Sequence, residues 1–220
     1  MTTNLEQYAS MMASLRDMID KGQGDGDEAD KLRDDMDVVW FRMSEEEKVQ
    51  ARGREPVSTP VIDKFDGDYR WLSNFWPCEV ELDGQKYPSV EHAYQAAKTT
   101  DTAVRKTIRD APTAGKAKRL GKTVSLRSDW DSIKLDVMEH LLRQKFAMGT
   151  LLASKLLQTG EAKLVEGNTW GDVFFGVCKG KGLNHLGELL MKIRADVRKQ
   201  RSATYFLDEG SSHVLDIGIG

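Results

Sequence analysis

Cysteine is scarce: the 220 residues hold only Cys78 and Cys178, in neither a CxxC nor a Cys/His zinc spacing. A disulfide framework or a structural zinc site is therefore not what holds the fold, and two reduced thiols are the expected state. Histidine is scarce too. His92, His140, His185 and His213 show no triad or metal spacing, so neither a metal nor a cofactor is expected. No apolar run approaches the ~20 residues of a membrane span, and the first residues lack the apolar stretch of a signal peptide. With 40% hydrophobic and 30% charged residues, the chain has the balance of a folded protein rather than a disordered one. A soluble, cytoplasmic protein without membrane contact is expected.

The net charge of −3 conceals a split. Residues 1–60 carry eight Lys/Arg against fourteen Asp/Glu, while residues 61–220 carry twenty-four against twenty-one. Within 105–127 stand eight basic residues and a single acid, Asp110. Such an excess suits phosphate or nucleic-acid backbone, although from charge alone a solvated helical face is the better explanation.

Leu5, Tyr8, Met12, Leu15 and Ile19 follow helical spacing, glycines at 22, 24 and 26 break it, and Ala29, Leu32, Met36, Val39 and Met43 resume it. Two antiparallel helices are predicted, and Ser44 with Glu47 has the capping-box pattern of a third. Residues 1–55 thus form an acidic helical hairpin, too small to stand alone, that should dock on the main domain, a protein partner or its own twin. Residues 56–60 read as a linker, 61–201 as the main domain and 202–220 as a tail with weak hairpin character around Glu209-Gly210. In the main domain, strands are expected at 61–65, 162–165 and 173–177. Alternation across 78–87 with Asp83-Gly84 predicts a β-hairpin. Helices are expected from the Ser89 cap to about Lys98, from Thr113 to Gly121, from Asp129 past Leu141, at 151–157 and from Leu186 to Val197. The fold class is α+β, mainly helical with a few short antiparallel strands.

Three segments could carry chemistry. On the helix after Ser89, Glu91, Tyr94, Gln95 and Lys98 share one face, with Glu91 and Lys98 two turns or ~10 Å apart. The bland alternative is a surface face with a weak charge pair. Gly167-Asn168-Thr169-Trp170-Gly171-Asp172, followed by Gly176, Gly180, Gly182, Asn184 and Gly187, suggests backbone shaped around a ligand or an ordinary glycine-rich turn. Arg70-Trp71-Leu72-Ser73-Asn74-Phe75-Trp76-Pro77 could stack a base on its aromatics while an amide reads an edge; core packing explains the aromatics as well.

Four blocks in order, R-W-L-S-N-F-W-P with D-G-Q-K-Y-P-S-V-E-H-A-Y-Q-A-A-K, then A-K-R-L-G-K, then W-D-S-I-K-L-D-V-M-E-H-L-L-R-Q-K-F, then W-G-D with G-K-G-L-N-H-L-G-E-L-L-M-K-I-R, resemble the NADAR, or YbiA-like, family. The resemblance spans about 65–194. His185 departs from it where an Arg is usual, and Val177-Cys178 where a Gly-His-like pair is usual. It implies N-glycoside hydrolysis: cleavage of a ribosyl–amine bond, either in phosphoribosylamino-pyrimidine intermediates of riboflavin biosynthesis or between ADP-ribose and the amino group of guanine in DNA, as an antitoxin to an ADP-ribosyltransferase toxin. The basic stretch leans toward the larger anion. A non-catalytic module that binds ADP-ribose or NAD is the alternative of another class; Glu91, Lys98, Trp170 and Asp172 together argue for an enzyme.

Such a bond leaves through an oxocarbenium-like state that needs an anion and a proton source. The helix dipole favours a charged Glu91, which is therefore expected to stabilise the sugar cation or activate water, with Asp172 as the acid. The resemblance makes Lys98 an imine-forming nucleophile, or else a phosphate contact. Arg119 and Lys122 are expected at phosphate. Asn74, Phe75 and Trp170, with His92, Gly171, Lys181 and Asn184, complete the expected substrate contacts.

Overall fold

A computed structural model describes residues 3–52 and 61–211; the expected linker at 56–60 and residues 212–220 of the expected tail lie outside them. Helix α1 (Asn4–Asp20) starts on a capping box between Thr3 and Glu6. Gly24 and Gly26 turn the chain into α2 (Asp27–Arg42), which packs against α1, and α3 (Glu45–Arg52) follows. The Ser44–Glu47 capping box is present in both directions, at 2.9 and 3.2 Å. The module docks on the main domain. Trp40 is buried at the base of α2, donates from Nε1 to Asp68 at 2.8 Å and lies against Gly67.

The main domain is organised around α4 (Val90–Ala97), every residue of which is buried. Ser89 caps it by accepting from the His92 amide, and Ala93, Ala96 and Ala97 are small enough to let neighbours approach. Those neighbours are α5 (Thr102–Arg109), α6 (Ala114–Gly121), α7 (Trp130–Lys145) and the hairpin of β2 (Val80–Leu82) and β3 (Gln85–Tyr87). That hairpin is antiparallel, and its two turn residues have positive φ, Asp83 at 50° and Gly84 at 72°, as a tight primed turn requires. Helix α8 (Leu151–Gln158) and α9 (His185–Ser211) close the other side, with Ala153, Leu156, Leu186, Leu190, Ile193 and Val197 buried. Helix α9 runs on through Glu209-Gly210, where a hairpin was expected.

Strand direction is a second correction. Among the strand pairs of the described residues, only β2–β3 is antiparallel. β1 (Val61–Ile62) pairs parallel with β4 (Lys163–Leu164), and β5 (Gly167–Asn168) pairs parallel with β6 (Val177–Cys178). The β1–β4 connection carries most of the domain's helices, long enough to bring the chain back in the same direction. No helix among the described residues is long and apolar enough to cross a membrane.

One buried cation fixes the loop that precedes β2. Lys145 at the end of α7 donates to the carbonyls of Ser73 at 2.6 Å and Leu72 at 3.4 Å. Burial pulls its ammonium down to about 7, with Cys78 and Glu166 opposing. The next residue, Asn74, accepts from the Glu91 amide at 3.0 Å. The aromatic loop and the first turn of α4 are thereby held as one piece.

Candidate active site

Position within α4 decides the chemistry of its polar face. Glu91, at the second helical position, is 6% exposed, and Gln95 one turn on donates to its Oε1 at 2.8 Å. Burial raises the Glu91 carboxyl above the ordinary range. Lys118, the Gln95 hydrogen bond and Lys98 work against that rise, and Asp172 adds to it. Burial thus works against the ionised form that the helix dipole favours.

Lys98 caps the C-terminus of α4, and its Nζ lies 5.8 Å from the Tyr94 ring centre. Burial lowers its pKa. Glu91 opposes, while the nearby cations Lys118 and Lys122 add to the lowering. Tyr94 stacks edge-on with Phe175 at 5.4 Å and tilted against Trp130 at 5.1 Å, giving this face an aromatic floor.

Lys118, on α6, joins the segments that the sequence left apart. Its Nζ is 5.2 Å from the ring centre of Trp170 and 5.8 Å from that of Phe75. It also acts electrostatically on Glu91, Lys98 and Glu166. Trp170 is 40% exposed, with the Arg33 guanidinium of α2 at 5.7 Å from the ring. Asp172 is fixed by the amides of Phe174 and Phe175, which donate to its Oδ1 at 3.0 and 2.9 Å, leaving Oδ2 for another partner. Asn168 braces the same loop through its amide, donating to the Asp172 carbonyl at 2.7 Å.

Glu166 and Lys118 are the residues that sequence reasoning missed. Glu166 is half-buried with its carboxyl enclosed, and burial lifts that carboxyl to about 8, with Asp172 adding to the rise and Lys118 and Arg70 opposing. Its Oε2 has no hydrogen-bond partner; nor do Oδ1 of Asn74 and Oε1 of Gln95. Buried acceptors without donors cost free energy unless something supplies the donors, and sugar hydroxyls and amines are such groups. The signals were present but local. Glu166 directly precedes the glycine-rich segment, and Lys118 is the first lysine of A-K-R-L-G-K.

Other expected contacts fall elsewhere. The His92 ring braces the cap: Ser89 Oγ meets its Nδ1 at 2.7 Å and the Ala111 carbonyl meets its Nε2 at 3.2 Å, while burial lowers its pKa. Asn184 spends its amide on the Glu166 amide at 3.0 Å and the Leu164 carbonyl at 2.9 Å, so it positions Glu166 instead of facing a ligand. Lys181 sits on an exposed turn bridged to Cys178. Arg119 and Lys122 are already ion-paired, with Asp27 and Asp30, and with Asp25. The glycine-rich segment is only partly a ligand cradle. Gly176 and Gly187 lie against the carbonyls of Glu166 and Leu164 where a Cβ would collide, whereas Gly171, at φ 88°, borders open space beside Trp170.

Residues 62–198 match the family model described as NADAR domain. The chain is 42% identical over 152 residues to N-glycosidase YbiA of Escherichia coli (strain K12), covering 66% of this chain and 94% of that protein. It is 36% identical over 137 residues to Riboflavin biosynthesis protein VVA0006 of Vibrio vulnificus (strain YJ016), covering 61% of this chain and only 37% of that much longer protein. The fold is similar to the NMR structure of the E. coli protein YbiA, with a TM-score of 0.59 at 36% identity over 66% of this chain and 89% of that one.

Proposed function

The chain belongs to the NADAR domain family, and from that premise we propose that it is an N-glycosidase that hydrolyses the bond between C1 of a phosphorylated ribose and an exocyclic amine. The observation that carries this reading is the buried group of Glu91, Gln95, Glu166 and Asn74 beside Lys98, Lys118 and Trp170, in which three acceptors await donors.

Glu91 and Lys98 carry the chemistry. A carboxyl whose pKa burial raises can donate a proton to the substrate, and an amine whose pKa burial lowers can add to carbon. The ribosylamine opens to an imine as its ring oxygen gains a proton, with Glu91 as the donor. Nζ of Lys98 adds to C1, the amine departs with a proton, and a lysine imine remains. Water then hydrolyses that imine, returning Lys98 and releasing the free sugar; one water is consumed. Asp172 accepts protons or orients the water through Oδ2. Trp170 and Phe75 flank the base or sugar.

ADP-ribose on the guanine amino group of DNA is the substrate favoured by the cations of α6, since its diphosphate offers more charge than a single phosphate. A phosphoribosylamino-pyrimidine is the second reading, favoured by the name of the Vibrio relative. Product analysis by mass spectrometry, after incubation with guanine-ADP-ribosylated DNA and separately with the pyrimidine, tests both. Released ADP-ribose with restored guanine supports the first, and ribose 5-phosphate with free aminopyrimidine the second. Binding of ADP-ribose with no product from either substrate would reduce the protein to a binding module.

A further inference from the structure

The cations assigned to substrate phosphate are occupied by the chain's own carboxylates. Asp25, in the turn after α1, pairs with Lys122 and lies 3.7 Å from Lys118. Asp27 and Asp30, in the first turn of α2, both pair with Arg119. Position 115 of α6 is glycine, and a side chain there would collide with the Asp30 carboxylate, so the surface of α6 has room for that group. The arrangement presents three anions to three cations along one helix face, as a phosphate chain would.

Two further observations indicate a contact that can be exchanged. Nε of Arg119 is buried and has no hydrogen-bond partner, although both terminal nitrogens are paired, so the guanidinium can still serve another oxygen. Two of the carboxylates, Asp25 and Asp30, also repel each other. Burial raises Asp30 above its ordinary range, and repulsion from Asp25 adds to the rise against Arg33 and Lys118. The remaining anchors lie further along α2, where Arg70 meets Asp37 at 2.9 Å and Asp34 at 3.3 Å. These leave the Asp25–Asp30 end able to part from α6 while the far end stays docked. Arg33, which pairs with Asp30 at 3.1 Å and lies over Trp170, would move with it and uncover the ring.

We propose that Lys118, Arg119 and Lys122 form the docking surface for the substrate's phosphate chain, and that Asp25, Asp27 and Asp30 cover it as an internal competitor that the bound ligand displaces. The proposal rests on the glycosidase reading for its ligand, a diphosphate-bearing ribose, but not for its test.

The test uses the full chain and two probes, ADP-ribose and inorganic pyrophosphate. Titration calorimetry compares the parent with Asp25→Asn/Asp27→Asn/Asp30→Asn, and hydrogen exchange follows residues 24–33. The triple variant is expected to bind both probes roughly tenfold more tightly, the effect of releasing a few partly buried pairs. In the parent, ADP-ribose is expected to raise exchange in 24–33. Circular dichroism checks the fold; if the triple variant melts, Asp25→Asn, which changes only the turn, carries the test with a gain of about threefold. Equal or weaker binding in the folded variants, or exchange in 24–33 unchanged by ligand, would overturn the proposal. Turnover of a ribosylamine is scored separately. Turnover without competition removes the cover and leaves the glycosidase, whereas competition without turnover does the reverse.

Discussion

At Glu91 two effects oppose each other. The first turn of a helix stabilises a carboxylate by about 0.3–1 kcal/mol, while full burial of an unpaired charge costs several times as much. Gln95 donates to it, yet burial raises the carboxyl, and in the proposed mechanism it gives up a proton. Glu91→Gln keeps the shape but has no acidic proton to give. It should fold at least as well as the parent and lose roughly 10²-fold or more in turnover, whereas turnover within about threefold of the parent would remove Glu91 from the chemistry. Glu166 offers a test by pH. Its folded pKa of about 8 lies above the 4.5 of an ordinary glutamate, so the folded state holds the extra proton between those values. Its contribution to stability is complete below pH 4.5 and is lost as pH rises through 8. Melting curves from pH 5 to 9 should fall less for Glu166→Gln than for the parent, and parallel curves would show that Glu166 carries no such shift.

At the scale of elements, whatever is decided within a few residues was legible in the sequence. The Ser44–Glu47 box, the Asp83-Gly84 turn and the Ser89 cap of α4 lie where the pattern predicts them, because each is a local hydrogen-bond or dihedral requirement. The parallel pairing of β1 with β4 was not, since two-residue strands carry too little alternation to declare a distant partner. Nor could Lys118 be separated from its basic neighbours in 105–127: Arg119, beside it, finds a carboxylate 89 residues away in Asp30, and Lys118 itself lies between Phe75 and Trp170 from two other segments. Composition alone left the glycines open between a ligand cradle and an ordinary turn, because four of them, Gly167, Gly176, Gly182 and Gly187, serve close backbone packing. Ser89 also holds the His92 ring, so Ser89→Ala should cost about 1–2 kcal/mol of stability and loosen the turn that carries Glu91. A melting temperature equal to the parent's would contradict that coupling.

For the molecule as a whole, the site and its cover separate along the chain. The match to E. coli YbiA covers 94% of that protein, and the family model spans residues 62–198 here, so there the family domain is nearly a whole protein. A chain starting near Val61 should fold and turn over a small ribosylamine, with Trp71 and Leu72 still in the core and the face once covered by Trp40 exposed. An unfolded or inactive truncation would make the acidic module part of the catalytic body. The account's central claim is that Lys98, its pKa lowered by burial near Glu91, bonds to C1 of the sugar. Borohydride added during turnover measures it most directly, because it reduces a lysine imine to a stable secondary amine. The account predicts an adduct of the sugar's mass that peptide mapping assigns to Lys98 and that Lys98→Arg abolishes together with turnover, since a guanidinium is not a usable nucleophile. Full turnover in Lys98→Arg, with no trapped species in the parent, would contradict it and leave hydrolysis to water with Glu91 and Asp172.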